Sequence, residues 1–152
     1  MKHFSLEQDK RIPYGVLLTQ LNNIYGYYES KKGNLTSLDR AIISFVNSSP
    51  INFYPDVLDR QIFMIKGVVK EVFDLFLPEL EYKHCCLLDN PNRKHELYFI
   101  PILSSRSVLA DAEKNDYIFR LVNERDSKVI ISIEVAEAIL RRKPTGIRIS
   151  SI

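Results

Sequence analysis

The clearest periodicity in the chain lies in residues 62–77. Ile62-Phe63-Met64-Ile65 is an unbroken apolar run of strand length, and Val68, Val69, Val72, Phe73, Leu75 and Phe76 then recur at the spacing of one helix face. Lys70, Glu71 and Asp74 fall on the opposite, wet face. Pro78 sets the end, because it has no N–H to donate and its ring clashes with the preceding turn. The pattern predicts a strand running into an amphipathic helix at about residues 66–77.

Residues 84–88 and 97–103 read as two buried strands joined by Asp89-Asn90-Pro91-Asn92-Arg93, a hairpin rich in turn-forming side chains. Residues 117–122 and 129–131 flank six polar residues and predict a second hairpin. Ser132 follows with a side-chain oxygen for the free N–H groups of a helix start. Glu134 and Glu137 lie near that helix's positive end and Arg141, Arg142 and Lys143 near its negative end, so a helix is predicted over about residues 132–142. Pro144-Thr145-Gly146 stops it, and Gly146 is predicted to take a positive φ. Ile147-Arg148-Ile149 alternates as a last strand.

The first half is less regular. Phe4-Ser5-Leu6 predicts a short strand, and Ile12-Pro13-Tyr14-Gly15 a turn. Residues 16–28 match neither period. Ser30-Lys31-Lys32-Gly33-Asn34 reads as an exposed loop. Residues 41–46 fit a helix capped at Thr36 or Ser37, or a buried strand of Ile42, Ile43, Phe45 and Val46. The short run, its β-branched residues and the closing Asn47-Ser48-Ser49-Pro50 favour the strand. Residues 51–54 could add another. The expected fold is α+β, a mainly antiparallel sheet with the two helices packed against it.

Composition narrows the function. The chain has 152 residues, 45% of them hydrophobic and 26% charged, which suits a single domain over residues 1–152 with a core of its own. Its net charge of +2 comes without a basic stripe, so nucleic acid is not an expected partner. No apolar stretch approaches the ~20 residues needed to cross a bilayer, and charge precedes any signal-like core at the start. Cys85 and Cys86 are adjacent, a spacing unsuited to an ordinary disulfide, so reduced thiols in a cytoplasm are expected.

The chemistry-bearing motifs are thin. No two of the five glycines are close enough for a phosphate-cradling loop, so no cofactor is expected. His95-Glu96 begins like a zinc-protease motif, but Phe99 stands where the second histidine belongs. His84 and Cys86 share one strand face, as metal ligands would. Yet a hairpin closing around Pro91 and Asn92 sets His84 opposite about Phe99 and leaves His95 ~13 Å away at ~3.3 Å per residue, so no metal site is expected. A Cys–His nucleophile is disfavoured because both thiols sit in mid-strand. The cations of residues 141–143 suit a helix end, where at least two have a structural role.

In sequence order, several segments resemble a family of bacterial immunity proteins, small cytoplasmic partners encoded beside polymorphic toxins. They are Phe4-Ser5-Leu6-Glu7-Gln8-Asp9-Lys10-Arg11-Ile12, Asp56-Val57-Leu58-Asp59, Ile62-Phe63-Met64-Ile65, Lys70-Glu71-Val72-Phe73, Leu87-Leu88-Asp89, Tyr98-Phe99-Ile100-Pro101 and Ile118-Phe119-Arg120-Leu121. The most telling are Ile131-Ser132-Ile133-Glu134-Val135-Ala136-Glu137-Ala138-Ile139-Leu140-Arg141-Arg142 and Thr145-Gly146-Ile147. The resemblance implies a cytoplasmic, non-enzymatic protein that binds and neutralises a cognate toxin domain. The alternatives are an interaction adaptor unrelated to toxins and a hydrolase using Cys85 or Cys86 with His84. For a binder, Tyr25, Tyr27 and Tyr28 are candidate partner anchors, with Lys31 and Lys32 at the rim, because tyrosine covers much area at little entropic cost. The competing reading packs those rings on the sheet and leaves the lysines to solvate a hairpin tip.

Overall fold

The computed structural model describes residues 2–11, 40–46, 52–112 and 115–152. The strands are β1 (His3–Gln8), β2 (Ala41–Phe45), β3 (Val57–Leu58), β4 (Met64–Ile65), β5 (Tyr82–Asp89), β6 (Lys94–Pro101), β7 (Ser105–Arg106), β8 (Ile118–Val122), β9 (Ser127–Ser132) and β10 (Ile147–Ser151). The helices are α1 (Gly67–Phe76) and α2 (Ile133–Arg141). The fold is α+β, as expected, but the strands divide into two five-stranded sheets instead of one. The first has the order β10-β1-β9-β8-β7 and the second β2-β5-β6-β4-β3. Pairing is antiparallel except between β2 and β5 and between β7 and β8. Alternation along a strand fixes which face is buried and leaves its neighbours open, so a split into two sheets leaves no mark in the pattern.

The main core lies between the first sheet and the helices. Val69, Val72 and Phe73 of α1 and Val135, Ala136 and Ile139 of α2 are buried with Leu6, Ile118, Val129 and Ile131. A second cluster holds Tyr54, Leu58, Met64, Cys85, Leu87 and Tyr98. Neighbouring residues of β3 and β4 divide between the two, with Val57 and Ile65 in the first and Leu58 and Met64 in the second. The second sheet is therefore apolar on both faces there.

Both helices form where the periodicity places them. Leu75 is 67% exposed even though it belongs to the predicted apolar set, because it lies about 120° around the helix from Val69. The expected wet face is also corrected. Lys70 stacks over the Tyr82 and Phe99 rings, 4.8 and 5.3 Å from their centroids, while bonding Asp74, whose other oxygen accepts from the Tyr82 hydroxyl. The ammonium itself lies over both rings, a cation–π contact that leaves it partly buried. Ser132 caps α2, its Oγ accepting from the Val135 N–H at 3.3 Å. Ser132→Ala is expected to cost about 1 kcal/mol in urea unfolding. A loss within experimental error would show the cap to be dispensable.

At the other end of α2, Arg142 Nη1 donates to the Ala138 carbonyl, and its Nε lies 3.6 Å from Glu71. Lys143 takes the left-handed position after the helix, with φ 50°, and Gly146 has φ 71°, as predicted. Several strand expectations need correction: of the apolar run 62–65 only Met64–Ile65 is strand. β1 extends through Glu7 to Gln8 because it is an interior strand, paired with β10 and β9 on its two sides. Of residues 51–54, Ile51 lies outside the described residues and 52–54 give an isolated bridge at Phe53. β2 is a strand, but Ile43 and Phe45 are exposed rather than buried, since they lie on the face opposite the buried Ser44 and Val46.

Candidate functional site

The long β5–β6 hairpin organises one face of the second sheet. Its turn closes on Asp89, which is fully buried. The Asp89 carboxylate accepts from the Tyr54 hydroxyl at 2.7 Å and from the side-chain amides of Asn92 and Asn52. Burial alone would raise its pKa, but the hydrogen bonds from Asn92, Tyr54 and Asn52 together hold it below the usual carboxylate value. With the turn fixed, the register sets Ile43, Cys86 and Leu97 in one row across β2, β5 and β6, and Phe45, Leu88 and His95 in the next. Residues paired directly across strands point to the same side. Ile43 is 65%, Leu97 48% and Phe45 39% exposed, so this part of the sheet offers an apolar face. α1 covers the adjoining row at Phe99 through Lys70.

The cysteine and histidine geometry read from the sequence is found here. His84 is opposite Phe99 and His95 opposite Leu88, four residues along the strand. Among the described residues no group of three or more His, Cys, Asp or Glu side chains is placed to hold a metal. Both cysteines are free. Cys85 points into the second cluster, and burial, with a smaller contribution from Cys86, pushes its thiol up to about 12. At neutral pH it is a packing group rather than a nucleophile.

A second feature lies between the sheets. Arg120, Val129 and Leu6 form one row across the core face of the first sheet. They border a cavity of about 540 Å³ whose other wall is the β3–β4 loop, with Asp59, Arg60, Gln61 and Phe63. Four cations line it, Lys10, Arg60, Arg120 and Lys128, against the three carboxylates of Glu7, Asp59 and Asp126. Lys10 and Asp59 pair at 3.3 Å, and Asp59 Oδ2 accepts the Gln8 N–H. Desolvation raises the Asp59 pKa in spite of these contacts.

Arg120 is only 2% exposed. Its Nη1 makes a long 3.4 Å bond to Ser127 Oγ, and its guanidinium lies 5.9 Å from the centre of the Phe63 ring. Its Nε and Nη2 are buried without a hydrogen-bond partner, and burial draws its pKa down to about 10. A buried guanidinium with two idle donors is costly, and such groups in native folds call for an explanation.

The expected partner anchors Tyr25, Tyr27 and Tyr28, and the rim lysines Lys31 and Lys32, all lie outside the described residues. Neither feature above was singled out from the sequence. Arg120 carried a usable signal, since it occupies the same strand face as Ile118, where alternation calls for an apolar residue. The exposed row carried none, because Ile43 and Phe45 look identical to core residues in sequence. Among the described residues no helix is long and apolar enough to cross a membrane. No protein-family model matches the chain, and no curated protein matches it.

Proposed function

We propose that this chain is a non-enzymatic binding protein, an immunity protein that captures and neutralises a cognate bacterial toxin in the cytoplasm. The observation that carries the reading is the exposed apolar patch of Ile43 and Leu97 in one row and Phe45 in the next on the β2–β5–β6 face. Contiguous apolar surface on a soluble domain marks an interaction site, and an apolar centre with a polar margin is how specific interfaces are built. His84 and His95, both exposed, supply polar margin here. The toxin assignment itself rests on the family resemblance; the same face on an adaptor would take an unrelated partner.

The test is protection of cells expressing the toxin encoded by the neighbouring gene, with binding measured on the purified pair. Protection should be stoichiometric, since a binder is consumed one for one. Protection by a small fraction of the toxin's amount would instead indicate an enzyme. Ile43→Asp combined with Leu97→Asp should weaken binding by at least about 30-fold while leaving stability within about 0.5 kcal/mol. If that variant binds normally and alanine at Tyr25, Tyr27 and Tyr28 abolishes binding, the interface belongs to the tyrosine cluster. A neighbouring toxin that neither protein form binds would end the immunity reading.

A further inference from the structure

We infer that the cavity between the first sheet and the β3–β4 loop is a binding site for a small monocarboxylic acid, held by the guanidinium of Arg120. The inference is independent of toxin binding. It starts from the two idle donors, Nε and Nη2, which lie along one edge of the guanidinium. The same edge is used twice elsewhere in this chain. Arg11 Nε and Nη2 bond the two oxygens of Asp9 at 2.9 and 3.0 Å, and Arg106 Nε and Nη2 bond those of Asp116 at 3.3 and 3.0 Å. Both are the two-point arginine–carboxylate pairing, which satisfies two donors with one planar anion. At Arg120 no acidic side chain of the described residues fills that role.

The surroundings select among anions. The lining leaves one net positive charge, enough for a monoanion. A phosphate dianion would set its second charge against Glu7, Asp59 and Asp126. Leu6, Phe63 and Val129 add apolar wall, so the acid should carry an apolar body, and about 540 Å³ is ample for a small molecule. Nε and Nη2 are screened from bulk water, so the acid reaches them by displacing side chains at the cavity floor. Asp126 and Lys128, both exposed, form the outer part of this wall.

The experiment titrates the full chain with benzoate, benzamide and inorganic phosphate, following the Arg120 Nε–H resonance by NMR and affinity by calorimetry. Benzoate should bind saturably with a dissociation constant below about 5 mM and shift that resonance, and benzamide, the same shape without the charge, should bind at least about tenfold more weakly. Arg120→Met removes the buried charge while keeping a long side chain, so it should fold at least as stably as the parent and lose benzoate binding. If Arg120→Met does not fold, the shift of the Nε–H resonance in the parent protein decides by itself. The assignment is overturned by any of four results: no saturable benzoate binding, equal binding of benzamide, tighter binding of phosphate than of benzoate, or a Met variant that still binds.

Discussion

Gly146→Val should lower the unfolding free energy by about 3–5 kcal/mol, combining a β-branched side chain at positive φ with a steric collision. With φ at 71°, a Cβ on residue 146 would come 2.3 Å from Pro55 Cβ, 2.9 Å from Pro55 Cα and 2.8 Å from Phe53 Cε1. A proline ring cannot rotate out of the way. The contact is also locked from both sides: the Asp56 N–H donates to the Thr145 carbonyl at 2.8 Å, and Asp56 Oδ2 accepts the Thr145 N–H at 2.7 Å. Because the clash begins at Cβ, Gly146→Ala should lose most of the same stability in urea unfolding. A Val variant within about 1 kcal/mol of the parent would mean that residues 145–146 part from Pro55 at little cost.

The second large effect is expected at Asp89. Asp89→Ala removes the acceptor shared by Tyr54, Asn52 and Asn92, and strands the buried Tyr54 hydroxyl. Lost hydrogen bonds to a charged acceptor and an unsatisfied buried donor together correspond to about 3 kcal/mol. The pH dependence has a definite sign. Since the folded protein holds this carboxyl below its ordinary value, its contribution is complete above about pH 4 and disappears as pH falls through the lower, folded value. The stability gap between parent and Asp89→Ala, followed from pH 7 downward, should stay constant to about pH 4 and then narrow. A gap that widens on acidification would show that Asp89 is not held as a carboxylate.

Local chemistry was legible wherever the signal was itself local. Ser132 as a cap, the end of α1 before Pro78, the Asp89-to-Arg93 turn and the positive φ of Gly146 each follow from one or two side chains, and each is found. Even the facing of His84 and Phe99 followed from counting residues about the turn. What depends on distant partners was not legible. At β2 the buried Ser44 and Val46 alternate with Ile43 and Phe45, so Ile43 reads as core yet faces outward. Arg120 shows the converse, a charge at an inward position whose surroundings come from Asp59, Arg60 and Phe63, in a loop of the other half of the structure. The anchors expected from the tyrosine cluster lie outside the described residues and stand or fall by the binding experiment.

The interior place of β1 in the first sheet, between β10 and β9, governs the order in which that sheet can be completed. Phe4 pairs with Ile131 on one side and Ser151 on the other. On a ribosome, the earliest strand made must therefore wait for the latest two before either of its edges is satisfied. Pairings this far apart in sequence carry a large loop-closure cost and slow folding. Until β9 and β10 emerge, Leu6 and its neighbours have no sheet to join. The first sheet is completed only after synthesis of β10, while the β5–β6 hairpin, local in sequence, can form long before.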